Sequence, residues 1–403
     1  MKKEKKAEKE MSFGEKLAFA YPKEEGKLNI YMHISENSGV GYYRQYLPAI
    51  KLREAGLANV VISDFRWAEG NHNEPDLEQL FEIANWADII VVGRKDIGQF
   101  YAQWGGIREF FNMPIVLDTD DNVRHVRPSN PGYQGYYPGS EAIFWNQLGS
   151  SKVFDALTVS TEDLYEFHKK EMPKIYHLPN NLDVKEWSKY PRYVYDDGKI
   201  VIGFIGSASH SEGIKIVKKP VLEIMQKYPQ VKLLITHIYA PLIADYPAEI
   251  KNRIEFVPWL KLQEFPASIK KLGIDIGLAP LTDNMFNRAK SNLRWMEYSL
   301  SHMAPIVSPV KPYLCVKDGV TGLVAKEQKE WYSAIEKLVL DRDFRLKLSE
   351  NAFAEICTNY NIDKNIHLWD NAYKEIHKKY HEFWGKKKHF VSLGKGKFRE
   401  IKK

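Results

Sequence analysis

Short runs of apolar, largely β-branched residues recur along most of this chain, separated by segments of helical length. Strands that alternate with helices form βαβ units, which place the strands parallel in one sheet with helices on its faces. The pattern therefore predicts an α/β fold. The first series of predicted strands comprises residues 28–34, 60–62, 89–92, 115–117 and 156–159, with helical stretches such as 76–86 and 97–111 between them.

The alternation begins a second time after an irregular segment, residues 182–197, which is rich in Tyr, Trp, Pro and Asp. A chain of 403 residues is also too long for one ordinary core. We predict two tandem doubly wound, Rossmann-like domains, residues 25–190 and 191–365, whose ligands bind at the carboxyl ends of the strands in a cleft between them. The second series of strands is predicted at 200–206, 231–236, 254–257, 274–279 and 304–308.

Aromatic residues continue at helical spacing after the second series, within a segment that is helical in pattern as far as about residue 383. Trp369, Tyr373 and Tyr380 lie on this segment, so we expect a helix over 366–385 that packs on a large surface.

Charge is concentrated at the two ends of the chain, whose net charge is +6. Residues 1–24 and 386–403 are lysine-rich, which is typical of solvated tails and also suits electrostatic contact with DNA or an anionic membrane. Neither a secretory signal nor an apolar run long enough to span a bilayer is apparent, and two cysteines are too few for a disulfide framework. We expect a soluble, cytoplasmic protein.

Residues 286–303 combine a polar loop with an amphipathic helix directly after an apolar strand. Ser291 suits an N-cap, and an anion binds well at a helix N-terminus, where backbone N–H groups are unpaired. Lys290, Arg294 and Glu297 follow at helical spacing on one face. A cation and a carboxylate so placed would hold a phosphate and a sugar hydroxyl of one nucleotide; a solvated Arg–Glu pair is the alternative.

A small-residue turn follows the predicted strand 200–206. Gly206 would let a ligand approach the backbone, Ser207 can donate to phosphate oxygens, and His210 lies close behind. The turn matches neither the dinucleotide fingerprint nor the Walker loop, so a purely structural turn is an equal reading.

A second glycine-containing loop, Gly39-Val40-Gly41, follows the first predicted strand and precedes a helix that carries Arg44. Small residues and a cation at a helix start suit an anionic or polar ligand, and a tight turn with a solvated arginine explains them equally well.

Three carboxylates, Asp118, Asp120 and Asp121, follow the strand 115–117. Such a cluster can bind a divalent cation, cap a helix or accept hydrogen bonds from sugar hydroxyls. A further His or Glu ligand is not apparent nearby, so we predict no metal site. The sequence also lacks the Gly-x-Ser-x-Gly and His-Glu-x-x-His motifs of common hydrolases.

Taken together, these motifs resemble the GT-B glycosyltransferases of the large family-four-like group, in particular phage and bacterial members. The resemblance covers about residues 28–380 and is carried by several short motifs: Thr158-Val159-Ser160-Thr161, Leu178-Pro179-Asn180-Asn181, Gly203 to His210, Ala279-Pro280-Leu281, Phe286-Asn287, Lys290-Ser291, Glu297, Pro305-Ile306-Val307-Ser308, Pro312-Tyr313, Gly319 to Val324 and Glu330-Trp331.

The resemblance implies transfer of a sugar from a nucleotide-diphosphate donor, UDP- or GDP-linked, to an acceptor held mainly by the N-terminal domain. It implies no metal and no cofactor, retention of configuration, and a last helix that crosses back to the first domain. Glu297 would bind the ribose, while Lys290 and the backbone at Ser291 and Asn292 would hold the diphosphate and stabilise the leaving group.

The resemblance also divides the candidate residues by role. The catalytic candidates are Lys290, Arg294 and Asp120. The donor-binding set adds Gly206, Ser207 and His210 to Lys290, Ser291, Asn292 and Glu297, and the acceptor side comprises Gly39, Gly41, Arg44, Asp118 and Asp121.

One position departs from the pattern of that group. Many relatives carry a second glutamate eight residues before the ribose-binding one, but this chain has Ala289 there. The acceptor, whether glycan, lipid-linked or a DNA base, is unidentified. A non-catalytic protein that binds a nucleotide or nucleic acid on the same scaffold is therefore an alternative, and a sugar-phosphate epimerase is a third.

Overall fold

The computed structural model describes residues 13–34, 38–63, 77–94, 101–130, 133, 153–172, 174–195, 198–393 and 397–401. Two six-stranded parallel sheets organise this part of the chain, and a two-stranded antiparallel hairpin follows them. The strands of the first sheet are β1 (Leu28–His33), β2 (Ala58–Ser63), β3 (Ile89–Gly93), β4 (Ile115–Thr119), β5 (Ala156–Val159) and β6 (Ile175–His177). Those of the second are β7 (Ile200–Phe204), β8 (Val231–Thr236), β9 (Ile254–Val257), β10 (Ile276–Ala279), β11 (Ala304–Val307) and β12 (Leu323–Val324).

The first sheet has the strand order β2-β1-β3-β4-β5-β6, with parallel pairing throughout. β3 and β4 are buried along their whole length because helices cover both faces, which explains their continuous apolar runs. The strand β6 was absent from the sequence-based prediction. Its three residues, Ile-Tyr-His, are too few to display a periodic pattern.

The second sheet has the order β12-β11-β10-β7-β8-β9 and is likewise parallel. In both sheets the strand order therefore reverses beside the first strand of the sheet. This arrangement opens a crevice at the carboxyl ends of the strands. The prediction of two tandem doubly wound α/β domains is confirmed.

Helices fill the connections between these strands. The α-helices are Phe13–Ala20, Leu47–Glu54, Leu77–Trp86, Tyr101–Phe111, Glu162–His168, Val184–Ser188, Ser211–Lys227, Ala248–Lys251, Phe265–Lys271, Met285–Arg288, Leu293–Leu300, Gln328–Leu340, Arg342–Asn359, Ile362–Asn365 and His367–Trp384. A π-helix, Gly41–Tyr46, precedes the second of them.

The helix His367–Trp384 lies against the N-terminal domain. Tyr380 donates a hydrogen bond to Asn112 Oδ1 at 3.1 Å, and the amide of Asn112 donates to the carbonyl oxygens of Trp384 and Lys386. Just before this helix, Asp363 is paired with Lys51 at 3.0 Å. The helix His367–Trp384 therefore packs on the first domain.

The lysine-rich residues 386–393 and 397–401 pack against the first domain, whereas their charge predicts a solvated tail. Residues His389–Ser392 (β13) and Phe398–Ile401 (β14) form the antiparallel hairpin. Phe390 stacks on Phe110 with ring centroids 4.2 Å apart, and Phe398 stacks on Phe81 at 3.7 Å. Aromatic packing, invisible in the charge pattern, holds this segment against the helices of the first domain.

At the other end, residues 1–12 of the predicted N-terminal tail lie outside the described residues, and the helix Phe13–Ala20 follows. Among the residues that are described, none of the helices combines the length and apolar character that crossing a bilayer requires.

Candidate functional site

A cleft of about 500 Å³ lies between the two domains. Its walls come from segments that follow β1, β3 and β4 in the first domain and β7, β8, β9 and β10 in the second. These segments are the carboxyl ends of parallel strands, where α/β folds bind their ligands. The cleft is therefore the candidate site.

Most of the residues singled out from the sequence line this cleft. They are Gly39, Asp120, Asp121, Gly206, Ser207, His210, Lys290, Ser291, Arg294 and Glu297. Four other candidates within the described residues lie outside the lining: Gly41, Arg44, Asp118 and Asn292.

The helix Leu293–Leu300, hereafter the cleft helix, points its N-terminus at this space. Its N-cap is Asn292 and not Ser291 as predicted. The Asn292 amide donates to Sγ of Cys315 at 3.3 Å, while the hydroxyl of Ser291 accepts a hydrogen bond from Asn180 at 3.0 Å. Neither side chain caps the helix, so its first backbone N–H groups have no side-chain cap.

Glu297, one turn into the cleft helix, accepts a hydrogen bond from the hydroxyl of Tyr43 at 2.8 Å. Burial raises the pKa of Glu297 to about 7, although the Tyr43 hydrogen bond and the charge of Arg294 both lower it. The carboxyl group therefore titrates near neutral pH.

Arg294 lies over the backbone at Gly206. Its guanidinium donates to the carbonyl oxygen of Ile205 and stands 5.8 Å from the ring centroid of Phe204. A Cβ at position 206 would clash with the guanidinium, so this packing requires glycine there. Arg294 and the turn after β7 thus form one cationic wall.

His210 stands beside this wall. Burial lowers the pKa of His210 well below its ordinary value, and the charges of Arg294 and Lys290 lower it further. The imidazole is therefore neutral at physiological pH, and at that pH it can offer one N–H donor and one acceptor to a ligand.

Lys290 lies in the turn before the cleft helix and extends across to the first domain. Its ammonium nitrogen is 3.3 Å from Oδ1 of Asp121 and 4.4 Å from the ring centroid of Phe286. Burial raises the pKa of Asp121, but Lys290 and Arg94 lower it more, so the carboxyl stays ionised. The ring of Phe286 and the carboxylate of Asp121 therefore hold the ammonium group of Lys290, the cation that was predicted to bind a phosphate.

Arg44 and Asp118 are buried beneath the cleft. The guanidinium donates to both oxygens of Asp118, at 3.0 and 2.8 Å, and to Oδ1 of Asn180 at 3.0 Å. Arg44 and Asp118 were predicted to contact an acceptor, but their positions do not match this prediction. In the interior the two side chains are hydrogen-bonded to each other.

This pairing also bears on the carboxylate cluster. Both oxygens of Asp118 are occupied by Arg44, so Asp118, Asp120 and Asp121 do not share one open ligand set. Across the described ranges, His, Cys, Asp and Glu side chains do not form groups of three or more that could hold a metal ion.

Sequence reasoning missed several residues that line the cleft, among them Tyr43, Arg94 and Trp259. Arg94 directly follows β3, and Trp259 comes two residues after β9, so their position at strand ends was a usable signal. In the sequence Tyr43 resembles one more apolar residue of its helix, and nothing local indicates that its hydroxyl meets Glu297.

Comparison with known proteins adds information about the fold. No protein-family model matches the sequence, and no curated protein matches it. Among solved structures, the chain is similar to HepE of Anabaena in complex with UDP-glucose, with a TM-score of 0.62 and 12% identity over 87% of this chain and all of that one. The chain has the GT-B fold.

Two further GT-B structures support this assignment. Sucrose-phosphate synthase from Thermosynechococcus elongatus matches with a TM-score of 0.59 and 13% identity, covering 88% of this chain and 100% of that one. A glycosyltransferase from Rickettsia africae matches with a TM-score of 0.56 and 13% identity, covering 89% and 99%. At this level of identity the likeness extends to the architecture of the two domains.

Proposed function

We propose that this protein is a glycosyltransferase that moves a sugar from a nucleotide-diphosphate donor to an acceptor bound by the first domain. The observation that carries the proposal is the cleft helix, which brings a carboxylate, two cations and an uncapped N-terminus to one wall. A nucleotide diphosphate needs this combination, because its ribose offers hydroxyl donors and its phosphates carry negative charge. HepE, which shares the fold, has been crystallised with UDP-glucose.

In this proposal Glu297 accepts hydrogen bonds from the ribose hydroxyls. The diphosphate lies against Lys290, Arg294 and the backbone N–H groups of Ser291 and Asn292. Negative charge builds on the leaving phosphate as the bond between the sugar and the diphosphate breaks. These preorganised cations and dipoles stabilise that charge. The protein would accelerate the reaction by electrostatic stabilisation and needs no covalent nucleophile.

The opposite wall would receive the sugar and the acceptor. Asp120 lines the cleft on the first domain and is the carboxylate placed to meet a sugar or acceptor hydroxyl, while Ser207 and His210 offer neutral hydrogen-bonding groups near the phosphates. Gly39 also lines the cleft on the side of the first domain.

We further propose that transfer needs no divalent metal and retains the configuration of the sugar. Lys290 and Arg294 supply the countercharge that a metal would bring. Turnover that persists in EDTA, and a product with the anomeric configuration of the donor, would support these two points. Loss of activity on chelation, restored by Mg²⁺ or Mn²⁺, would reject the first.

The acceptor is proposed only as a class: a glycan, a lipid-linked molecule or a base in DNA. The lysine-rich ends of the chain motivate the DNA option, and binding to duplex DNA would then weaken steeply as salt rises. Salt-dependent binding that disappears when residues 1–12 are removed and the exposed Lys386 and Lys388 are replaced by Ser would favour DNA. Binding that is unaffected by these changes would not.

The decisive experiment is turnover of a panel of UDP- and GDP-linked sugars, with hydrolysis scored when no acceptor is present. Glu297→Ala should weaken nucleotide binding, and Lys290→Ala should depress turnover with little change in thermal stability. Glu350→Ala and Lys347→Ala are matched controls, since both residues are exposed on the helix Arg342–Asn359. If the two cleft variants turned over donor at the parental rate, the site assignment would be wrong.

The rival function is a non-catalytic protein that binds a nucleotide or nucleic acid. It is favoured by position 289, where Ala289 is 2% exposed and its carbonyl accepts a hydrogen bond from Thr161 of the first domain at 2.9 Å. Binding of UDP or GDP without turnover of any donor would support this rival.

A further inference from the structure

A π-helix lies between the first strand of the chain and the α-helix Leu47–Glu54. It comprises residues Gly41–Tyr46. π-Helical turns are rare and frequently occur at functional sites. Two neighbouring residues of this turn, Tyr43 and Arg44, are buried and contact different parts of the molecule.

Arg44 fixes the turn to the sheet of the first domain. Its guanidinium has no exposed surface and is bonded to Asp118 at the end of β4, to Asn180 and to the carbonyl oxygen of Leu178. Asp118 in turn accepts a hydrogen bond from Thr158 of β5 at 2.6 Å. Because every partner is buried and bonded, this arginine holds the π-helix in one position.

Tyr43 extends from the anchored turn toward the second domain. Its side chain is only 4% exposed and its ring packs edge-on against Tyr42, with centroids 5.0 Å apart. Its hydroxyl group lies at the cleft and donates to Oε1 of Glu297. The two residues are 254 positions apart in the chain, and the bond joins the two domains.

We propose that Tyr43 is a positioning residue that orients the nucleotide-binding carboxylate of Glu297 from the opposite domain. The inference rests on the proposed function of the cleft. With Oε1 held by Tyr43, the second oxygen, Oε2, is directed to the ribose. Separation of the domains breaks this bond and leaves a half-buried carboxyl group without its donor.

This role predicts a specific change in pH dependence. The ribose hydroxyls bind the ionised form of Glu297, and the hydrogen bond from Tyr43 lowers the pKa of that carboxyl. Removal of the Tyr43 hydroxyl should therefore raise the pKa of Glu297. The variant should then reach its full nucleotide affinity only at a higher pH than the parent protein does. Arg294 and Tyr43 are the charged and hydrogen-bonding groups that face Glu297 from the two domains and lower this pKa.

The test is titration of the parent with UDP and with GDP from about pH 5.5 to about pH 8.5, repeated for Tyr43→Phe, Glu297→Gln and the double variant. Near pH 7, Tyr43→Phe should bind about tenfold more weakly, since hydrogen bonds to charged groups are among the stronger ones. Its binding midpoint should move to higher pH. Tyr46→Phe, on the same turn but outside the cleft lining, should match the parent.

The double variant separates positioning from a general loss of structure. If Tyr43 acts through Glu297, Tyr43→Phe should have little further effect once Glu297→Gln is present. In turnover, Tyr43→Phe should raise KM for the donor more than it lowers kcat. Arg44→Lys, which loosens the anchor but keeps the charge, should reproduce the pH shift in part.

The outcomes distinguish this inference from the proposed function. Nucleotide binding by the parent, with an unchanged affinity and pH profile in Tyr43→Phe, overturns the positioning role and leaves the proposed function intact. An equal loss in the parent and Glu297→Gln backgrounds also overturns it. A parent that binds neither UDP nor GDP rejects both proposals.

Discussion

The ammonium group of Lys290 lies 3.3 Å from Oδ1 of Asp121, so the cation of one domain is paired with a carboxylate of the other across the cleft. Asp121 therefore supplies the negative charge that an anionic ligand would otherwise bring to Lys290. A bound diphosphate would compete with Asp121 for the lysine, and the strength of binding depends on that competition.

Removal of the competing charge should strengthen nucleotide binding. We expect Asp121→Asn to bind UDP or GDP several-fold more tightly. Lys290→Ala should bind these nucleotides more weakly, by about tenfold or more, because the phosphate loses a charge-assisted hydrogen bond. Isothermal titration at low salt measures both effects. Asp343→Asn, which alters a fully exposed carboxylate, provides the baseline, and weaker binding by Asp121→Asn would contradict the competition.

A methyl group at position 206 should disable the cationic wall. In Gly206→Ala the new Cβ would displace the guanidinium of Arg294, so nucleotide affinity should fall markedly. Gly106→Ala is the matched control, because a Cβ there meets nothing within 4 Å in the helix Tyr101–Phe111. That control should raise stability by about 0.5–1 kcal/mol. Parental affinity in Gly206→Ala would show that the clash is relieved without loss of the site.

The raised pKa of Glu297 should appear in the pH dependence of folding. In the folded protein the pKa is about 7, above the ordinary value of 4.5, so the folded state binds a proton that the unfolded state releases between these values. Stability should therefore fall as pH rises from about 4.5 to about 7, by at most about 3 kcal/mol from this group.

Glu297→Gln tests this expectation by denaturant unfolding in the absence of ligand. The variant should be more stable than the parent above pH 7, and the difference should shrink as the pH approaches 5. The exposed-residue variant Glu350→Gln should follow the parent at each pH. A stability difference that does not vary with pH would mean that folding does not raise the pKa of Glu297.

Removal of residues 386–403 should destabilise the first domain. Lys387 donates to the carbonyl oxygens of Ala84, Asn85 and Ala87 at the end of the helix Leu77–Trp86, and the two phenylalanines of the hairpin cover Phe81 and Phe110. We expect a clear drop in melting temperature and new binding of an apolar dye. Replacement of the exposed Lys386 and Lys388 by Ser should change neither property, and a truncated chain as stable as the parent would contradict this account.

Much of the fold was predictable because parallel strands buried on both faces need continuous β-branched runs, which β3, β4, β7 and β8 supply. The strands β6 and β12 were not predicted, since three and two residues carry no detectable period. The hairpin was hidden because its phenylalanines lie among lysines, and only tertiary contact shows what they pack against.

The candidate site was partly predictable for a similar reason. Arg294 and Glu297 share a helical face, so local spacing reveals their proximity. The pairs Arg44–Asp118 and Tyr43–Glu297 lie 74 and 254 positions apart, and no local pattern encodes such contacts. The role of position 44 was misread because a buried arginine and a ligand-binding arginine look alike in sequence.

The return of the chain to its first domain has a consequence for synthesis on the ribosome. The helix His367–Trp384 and the hairpin, which cover residues 25–190, are made long after them. The first domain must therefore wait with apolar surface uncovered until residues 367–401 have been synthesised. A ribosome that stalls before residue 360 would hold a nascent chain dependent on chaperones, although all twelve strands of the two sheets have already been made.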